Sequence, residues 1–181
     1  LLSSADQVTP GALIKAMERL RLNPQVAIPT WDRAGQLAKV RLPEYRAALS
    51  KAGAVDFQGL VEGFVELVET GQLPTFDEVM VDEFQDTNRL QHRLLEGFAQ
   101  QGARVVAVGD DDQSIYGWRG ADVSGMLSFE KTYQGASRVT LARNYRSVQT
   151  VLDAANRLIG KNRDRLGKVL VGTRGLSLIH I

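Results

Sequence analysis

Twice in this chain a run of apolar, β-prone residues stops on a cluster of acids. Glu78-Val79-Met80-Val81 ends in Asp82-Glu83, and Arg104-Val105-Val106-Ala107-Val108 ends in Gly109-Asp110. Between them, from Thr87 to about Gln101, lies a polar-capped stretch with helical spacing of its apolar residues. A strand, a helix and a strand so close together predict a βαβ unit with a parallel pair of strands, because parallel strands need a crossover and a helix supplies it. Both strands then deliver carboxylates to the same edge. In open parallel sheets that edge, outside the carboxyl ends of the strands, is where ligands sit.

The rest of the chain fits around this unit. Thr9-Pro10-Gly11 reads as a helix start, with Leu13, Ile14, Met17 and Leu20 following at helical spacing. Asn23 to Trp31, with Pro24 and Pro29, predicts a loop. A second helix is expected from about Asp32 to Lys51, interrupted or bent at Pro43. A third is capped by Asp56 and ends at Gly71, with Phe57, Leu60, Val61, Phe64, Val65 and Val68 on one apolar face. Beyond the βαβ unit the pattern predicts a helix around Asp122 to Tyr133, a strand at Arg138 to Leu141 and a helix from Ser147 to Ile159. The fold class is therefore α/β: a helical segment, then part of an open parallel sheet with flanking helices.

Composition sets limits. Hydrophobic residues at 44% and charged residues at 24% suffice for a packed core. A net charge of +1 gives no global attraction to nucleic acid, so any such contact has to come from a local site. Without cysteine there is no disulfide and no thiolate zinc site, and the two histidines, His92 and His180, are too far apart in sequence to suggest a histidine-rich metal site. No apolar run reaches the roughly 20 residues of a membrane span.

A lone Asp-Glu pair at a strand end is more often a solvated terminus than a metal site. Here the context is far richer. Val81-Asp82-Glu83-Phe84-Gln85-Asp86-Thr87-Asn88 is followed by Gly109-Asp110-Asp111-Asp112-Gln113-Ser114-Ile115-Tyr116-Gly117-Trp118-Arg119-Gly120-Ala121, and then by Leu141-Ala142-Arg143-Asn144-Tyr145-Arg146-Ser147. In this order and spacing the three blocks resemble motifs II (Walker B), III and IV of the UvrD/Rep/PcrA-type superfamily 1 DNA helicases. The resemblance is strong from about Ala52 to Gly160 and weak before that.

The resemblance implies a partial RecA-like sheet. Residues 1–52 would close a helical 1B-like subdomain, 53–145 would form the C-terminal part of motor domain 1A, and 146–175 would begin domain 2A. It also implies the substrate ATP with Mg²⁺ as cofactor, and single-stranded DNA and duplex junctions as partners. The expected activity is ATP-driven translocation and unwinding, 3′→5′, in repair or replication, in a cytoplasmic, nucleoid-associated bacterial-type protein with no membrane association. Oligomeric state is left open.

Residue by residue, Asp82 matches the Mg²⁺-associated carboxylate, and Glu83 the base that activates water for attack on the γ-phosphate. Gln113 matches the γ-phosphate sensor, Arg146 an arginine reaching that phosphate, and Tyr145 an aromatic stacking on adenine. Gln85 and Asp86 match the relay between nucleotide and DNA. Tyr116, Trp118 and Arg119 match the DNA track, where aromatic faces stack on bases with little regard for sequence. Core packing is the ordinary place for a tryptophan, and Trp118 is expected instead to meet DNA. In the segment Ala54 to Leu60 the family commonly has acids at the positions of Gln58 and Gly59, so a packing helix is expected there. His92 is expected on a solvated helix surface, and Lys161 to Arg165 in a solvated loop.

The sequence contains no G-x-x-x-x-G-K-[ST] phosphate loop, since neither Gly160-Lys161 nor Gly167-Lys168 is followed by Ser or Thr. The chain is thus expected to be a fragment, inactive alone. Its start lacks an initiating Met, and residues 176–181 read as a translated sequencing adaptor. Competing expectations are the motor subunit of a recombination helicase–nuclease, a non-hydrolysing DNA remodeller, and a generic Mg²⁺ phosphohydrolase built on Asp82, Asp86 and Asp110 to Asp112.

Overall fold

In the computed structural model, residues 8–174 are described. The expectation for residues 176–181 lies outside them. Three helices come first: α1 (Pro10–Leu22), α2 (Arg33–Lys51) and α3 (Phe57–Glu69). Thr9 caps α1 by accepting from the Ala12 amide, and Asp32 and Asp56 do the same for α2 and α3 through Gly35 and Gly59. Helix α2 runs through Pro43 without a break, giving up only the hydrogen bond that a proline nitrogen cannot donate. Helices α1 and α2 pack on Ala16, Met17, Leu20 and Ala38, and the chain between them adds Val26 and Ile28 to that core.

Arg21 ties this pair to α3. Its guanidinium is buried, donates to Glu62 through Nε and Nη2 at 2.9 Å each, and reaches Asp56 through Nη1 at 2.6 Å. Tyr45 on α2 donates to the same Asp56 oxygen at 2.8 Å. A buried cation holding two carboxylates this way adds little over an apolar contact, but removing it would leave Asp56 to the Tyr45 hydroxyl and the Gly59 amide, and Glu62 to Arg46.

The predicted βαβ unit is present. Strands β1 (Glu78–Val81) and β2 (Arg104–Ala107) pair in parallel, with Glu78 opposite Arg104 and Val81 opposite Ala107. The connecting helix α4 (Arg89–Gln100) starts in a capping box in which Asn88 and Gln91 exchange side-chain and backbone bonds. Helix α4 crosses α3 closely: a Cβ on Gly97 would lie 2.8 Å from Val68 Cγ1. Phe98 fills the space beside them, edge-on to Phe64 and Phe76, and with Val68 and Ala103 forms the second core. This contact covers only the C-terminal half of the apolar face expected on α3. Val65 and Val68 are buried, whereas Phe57 is 90% exposed and Leu60 54%, because the N-terminal turn of α3 meets the polar Arg21 network instead.

The remaining elements are α5 (Ser124–Leu127), α6 (Phe129–Thr132), β3 (Arg143–Val148), α7 (Gln149–Ile159) and β4 (Val171–Arg174). The single helix expected over Asp122 to Tyr133 is split at Ser128. The strand expected at Arg138 to Leu141 does not form, and Val139 and Leu141 stay exposed. A strand needs a ladder partner for its backbone, and among the described residues the ladder goes instead to Arg143–Val148, which pairs in parallel with β4 across α7. The result is a mixed α/β chain dominated by helices, with two βαβ units, each carrying its own two-stranded parallel sheet.

Candidate functional site

Where β1 ends, the backbone turns sharply. Glu83 takes a left-handed conformation (φ 50°, ψ 43°), the one non-glycine residue with positive φ among those described. This costs roughly 1–3 kcal/mol and persists only where the surroundings impose it. They do so from both sides. Asp82 Oδ1 accepts from the Glu83 amide at 2.9 Å, and a single 3₁₀ turn, Phe84–Asp86, follows at once. The Phe84 amide then donates to Val108 O at 2.9 Å, and the Val108 amide to Val81 O at 2.8 Å, so the ladder between the strands continues into the acidic loops.

Gln85 joins the two loops. Its side chain is only 1% exposed. Nε2 donates to Glu83 Oε2 at 2.8 Å, and Oε1 accepts from the Asp110 amide at 2.9 Å. A Cβ on Gly109 would lie 2.7 Å from that Oε1 and 3.1 Å from the Phe84 nitrogen, so only glycine lets the second loop come this close to the first. From Asp110 the path continues: Oδ2 accepts from Gln113 Nε2 at 2.7 Å, and Oδ1 from the Asp112 amide at 3.0 Å. The sequence-predicted residues Asp82, Glu83, Gln85 and Gln113 thus form one hydrogen-bonded chain across the strand ends. Asp86 flanks it, with its Oδ1 buried and without a hydrogen-bond partner among the described residues.

Asp82 is exposed and, among the described residues, its second carboxylate oxygen has no partner, which suits a carboxylate that would hold Mg²⁺ through the ion's own water shell. Asp110, Asp111 and Asp112 are close enough together to bind a cation, but they are already engaged. Arg165 grips Asp112 with Nε (2.9 Å) and Nη2 (2.5 Å), the Leu166 amide donates to Asp111 at 2.7 Å, and Lys168 Nζ contacts Asp110 Oδ1. Burial pushes the Asp110 carboxyl up, but Lys168, the Gln113 amide and the Asp112 amide outweigh it and hold the group below the usual carboxylate range. The solvated loop expected over Lys161 to Arg165 is present as far as Asp164, and only Arg165 departs from it, folded onto the acidic turn. The roles of Asp110, Asp112 and Lys168 were missed because their partners lie more than 50 residues away.

Three residues past Gln113, Tyr116, Trp118 and Arg119 form a stack. The Arg119 guanidinium carbon lies 4.6 Å from the Trp118 ring centre and 5.2 Å from that of Tyr116. Trp118 is 74% exposed, so core packing does not account for it. The loop is anchored behind by the Asp122 amide donating to Thr87 O at 2.8 Å and by the Arg89–Asp122 ion pair at 2.9 Å.

His92 is a second correction. It is half-buried rather than fully solvated: it packs against Phe84 at 5.2 Å, and its Nε2 lies 2.8 Å from Thr87 Oγ1. Burial holds its pKa below the ordinary histidine value. It supports the Phe84–Asp86 turn from beneath.

Tyr145 and Arg146 stand apart from this group. Strand β3 has an irregular register between Asn144 and Val148, and Asn144 Oδ1 caps the bulge by accepting from the Arg146 and Ser147 amides at 2.9 and 2.8 Å. Both side chains consequently point outward and are exposed, and among the described residues the Arg146 guanidinium has no carboxylate partner.

The profile of the UvrD/REP helicase N-terminal domain matches residues 8–134, which contain every residue of the hydrogen-bonded path and of the aromatic stack. The chain belongs to the UvrD/REP helicase family. Among its relatives, the ATP-dependent DNA helicase PcrA of Leuconostoc citreum is 42% identical over 132 residues, 70% of this chain and 18% of the relative. The protein of the same name from Staphylococcus aureus (strain Mu50) is 37% identical over 168 residues, 88% of this chain and 23% of the relative. DNA helicase II of Haemophilus influenzae is 43% identical over 132 residues, again 70% and 18%. The chain therefore spans about a fifth of the length of the UvrD/REP relatives it matches. No helix among the described residues is long and apolar enough to cross a membrane.

Proposed function

We propose that this chain is part of an ATP-dependent DNA helicase, carrying one wall of the ATP site and a stretch of the DNA track. The protein would move along single-stranded DNA 3′→5′ and open duplex junctions in repair or replication, in the cytoplasm at the nucleoid. Residues 1–52 would close a 1B-like subdomain, 53–145 belong to motor domain 1A, and 146–175 open domain 2A. Glu83 would act as the base toward water, Gln113 and Arg146 would meet the γ-phosphate, and Tyr145 would stack on adenine. Asp82 would hold Mg²⁺, which when bound offsets phosphate charge.

One observation carries the reading. A continuous hydrogen-bonded path runs from Glu83 through Gln85 and Asp110 to Gln113, and an exposed aromatic–guanidinium stack begins three residues later. A motor requires its nucleotide site and its track to share a rigid element, and this loop supports that role. Buried Gln85 fixes the carboxylate of Glu83, whose other oxygen has no partner among the described residues and could meet a water. Arg119 and Trp118 offer a base two kinds of stacking surface.

The test uses the full-length protein. Glu83→Gln is expected to lower the ATPase kcat by about 10²–10⁴-fold while ATP still binds. Trp118→Ala is expected to weaken single-stranded DNA binding by roughly 1–3 kcal/mol with nucleotide affinity unchanged. The 181-residue chain, which contains no phosphate loop, is expected to show no DNA-stimulated turnover. Normal ATPase rates in Glu83→Gln, or turnover by the 181-residue chain at helicase rates, would refute the assignment.

A further inference from the structure

We propose that Lys168 is a positioning residue for Gln113: it fixes the Asp110 carboxylate that receives the Gln113 amide, and so ties the connection between α7 and β4 to the γ-phosphate end of the nucleotide site. The inference rests on the reading of Gln113 given above.

The chemistry begins with an ambiguity in glutamine. An amide can turn either its N–H₂ or its C=O toward a given point, and only the first attracts a phosphate. Asp110 removes the ambiguity. Its ionised carboxylate can only accept, so it takes one Gln113 N–H at 2.7 Å and rejects the flipped amide, whose oxygen would face it. The second N–H has no partner among the described residues and remains for an anion. This works only while Asp110 stays ionised and in place. Lys168 Nζ on the opposite oxygen, Oδ1, secures both conditions.

An exposed Lys–Asp pair would by itself be weak evidence, since such pairs contribute little. This one is not exposed: the side chains of Lys168 and Asp110 are 16% and 22% accessible. It is also one of several ties between residues 165–168 and the acidic turn. Arg165 holds Asp112 by a fork and donates to the Lys168 carbonyl at 3.0 Å, while the Leu166 amide holds Asp111. The Arg165 bond to that carbonyl presents Lys168 to Asp110, so the segment is shaped to grip the turn that carries Gln113.

The orientation and its nucleotide consequence are tested apart. In the ¹⁵N-labelled 181-residue chain, the Gln113 side-chain amide pair is assigned by its loss in Gln113→Ala. Lys168→Met is expected to move that pair toward a free glutamine amide and to speed its exchange with water roughly 2- to 10-fold. Lys168→Arg should keep both, and the buried Gln85 pair should stay fixed in each variant. Unmoved Gln113 signals in Lys168→Met, or Gln113 and Gln85 pairs that move together, overturn the positioning role. In the full-length protein, preference for a non-hydrolysable ATP analogue over ADP should fall by the same factor, about 2- to 10-fold, in Lys168→Met and in Gln113→Ala. The double variant should lose no more. Additive losses, or an equal loss of affinity for both nucleotides, overturn the link. A Gln113→Ala protein with unchanged preference overturns the nucleotide half together with the reading of Gln113.

Discussion

Gln85 is the side chain through which the two acidic loops hold one another, and replacing its amide by a carboxylate gives a sharp test. In Gln85→Glu the oxygen facing Asp110 can still accept from that amide. The other oxygen would sit where Nε2 now lies, 2.8 Å from Glu83 Oε2. Two carboxylates that close cannot both ionise, so the pair must hold a proton that free glutamates release near pH 4.3. The introduced carboxyl therefore has a folded-state pKa above its unfolded value. Between those two values the native state binds more protons, so stability falls as pH rises. Relative to the parent chain, the penalty should be small near pH 4.5 and grow through the folded pKa to a plateau. Loss of a hydrogen bond to a charged acceptor is worth about 1.5–3 kcal/mol, and each unit of pKa displacement about 1.4. A plateau of about 2–4 kcal/mol follows. Urea unfolding followed by far-ultraviolet circular dichroism, from pH 4.5 to 8, measures it; Trp31 and Trp118 are both too exposed to report by fluorescence. Gln85→Leu is the control, leaving the Asp110 amide unsatisfied at a pH-independent cost of about 1–3 kcal/mol. A Gln85→Glu penalty equally flat with pH would show that the two carboxylates do not meet.

Two further outcomes follow from the same geometry. Arg21 foremost, with the Gly59 amide and the Tyr45 hydroxyl, holds the Asp56 carboxyl down to about 2 against the effect of burial. Stability from this depressed group is present above about pH 4 and lost as pH falls through about 2. Urea titrations should therefore show the parent more stable than Asp56→Asn by roughly 1–2 kcal/mol at pH 7, allowing for solvent screening, with the gap closing in acid. Gly109→Ala would press its methyl group against Gln85 and the Phe84 backbone, so a loss of about 1–3 kcal/mol in thermal unfolding is expected.

Local signals were legible and distant partners were not. Thr9, Asp56 and the helix between the strands announced themselves because a cap or a helical face is written within a few neighbouring residues. The parallel pair followed from two apolar runs too close together for any other crossover. The strand at Arg138 to Leu141 was misplaced because β-propensity says nothing about whether a ladder partner exists. The chain chose Arg143 to Val148, whose polar residues give no alternating pattern. His92 was misread because its burial depends on Phe84 and Gly125, neither on its own helix. At the site, motif order picked out Glu83, Gln85 and Gln113, but not the bonds that join them or the grip of Lys168 on Asp110. Those depend on how the loops fold toward one another.

The left-handed backbone at Glu83 has a consequence for how this chain can change. Glycine would adopt that conformation without strain, so a Glu83→Gly chain would relieve the local backbone at the moment it discarded the carboxylate. If Glu83 has the role proposed for it, pressure for a sturdier fold and pressure for chemistry pull in opposite directions at this one residue. A screen that rewarded stability alone would tend to erase the carboxylate, whereas one that also rewarded the activity proposed for Glu83 would keep it.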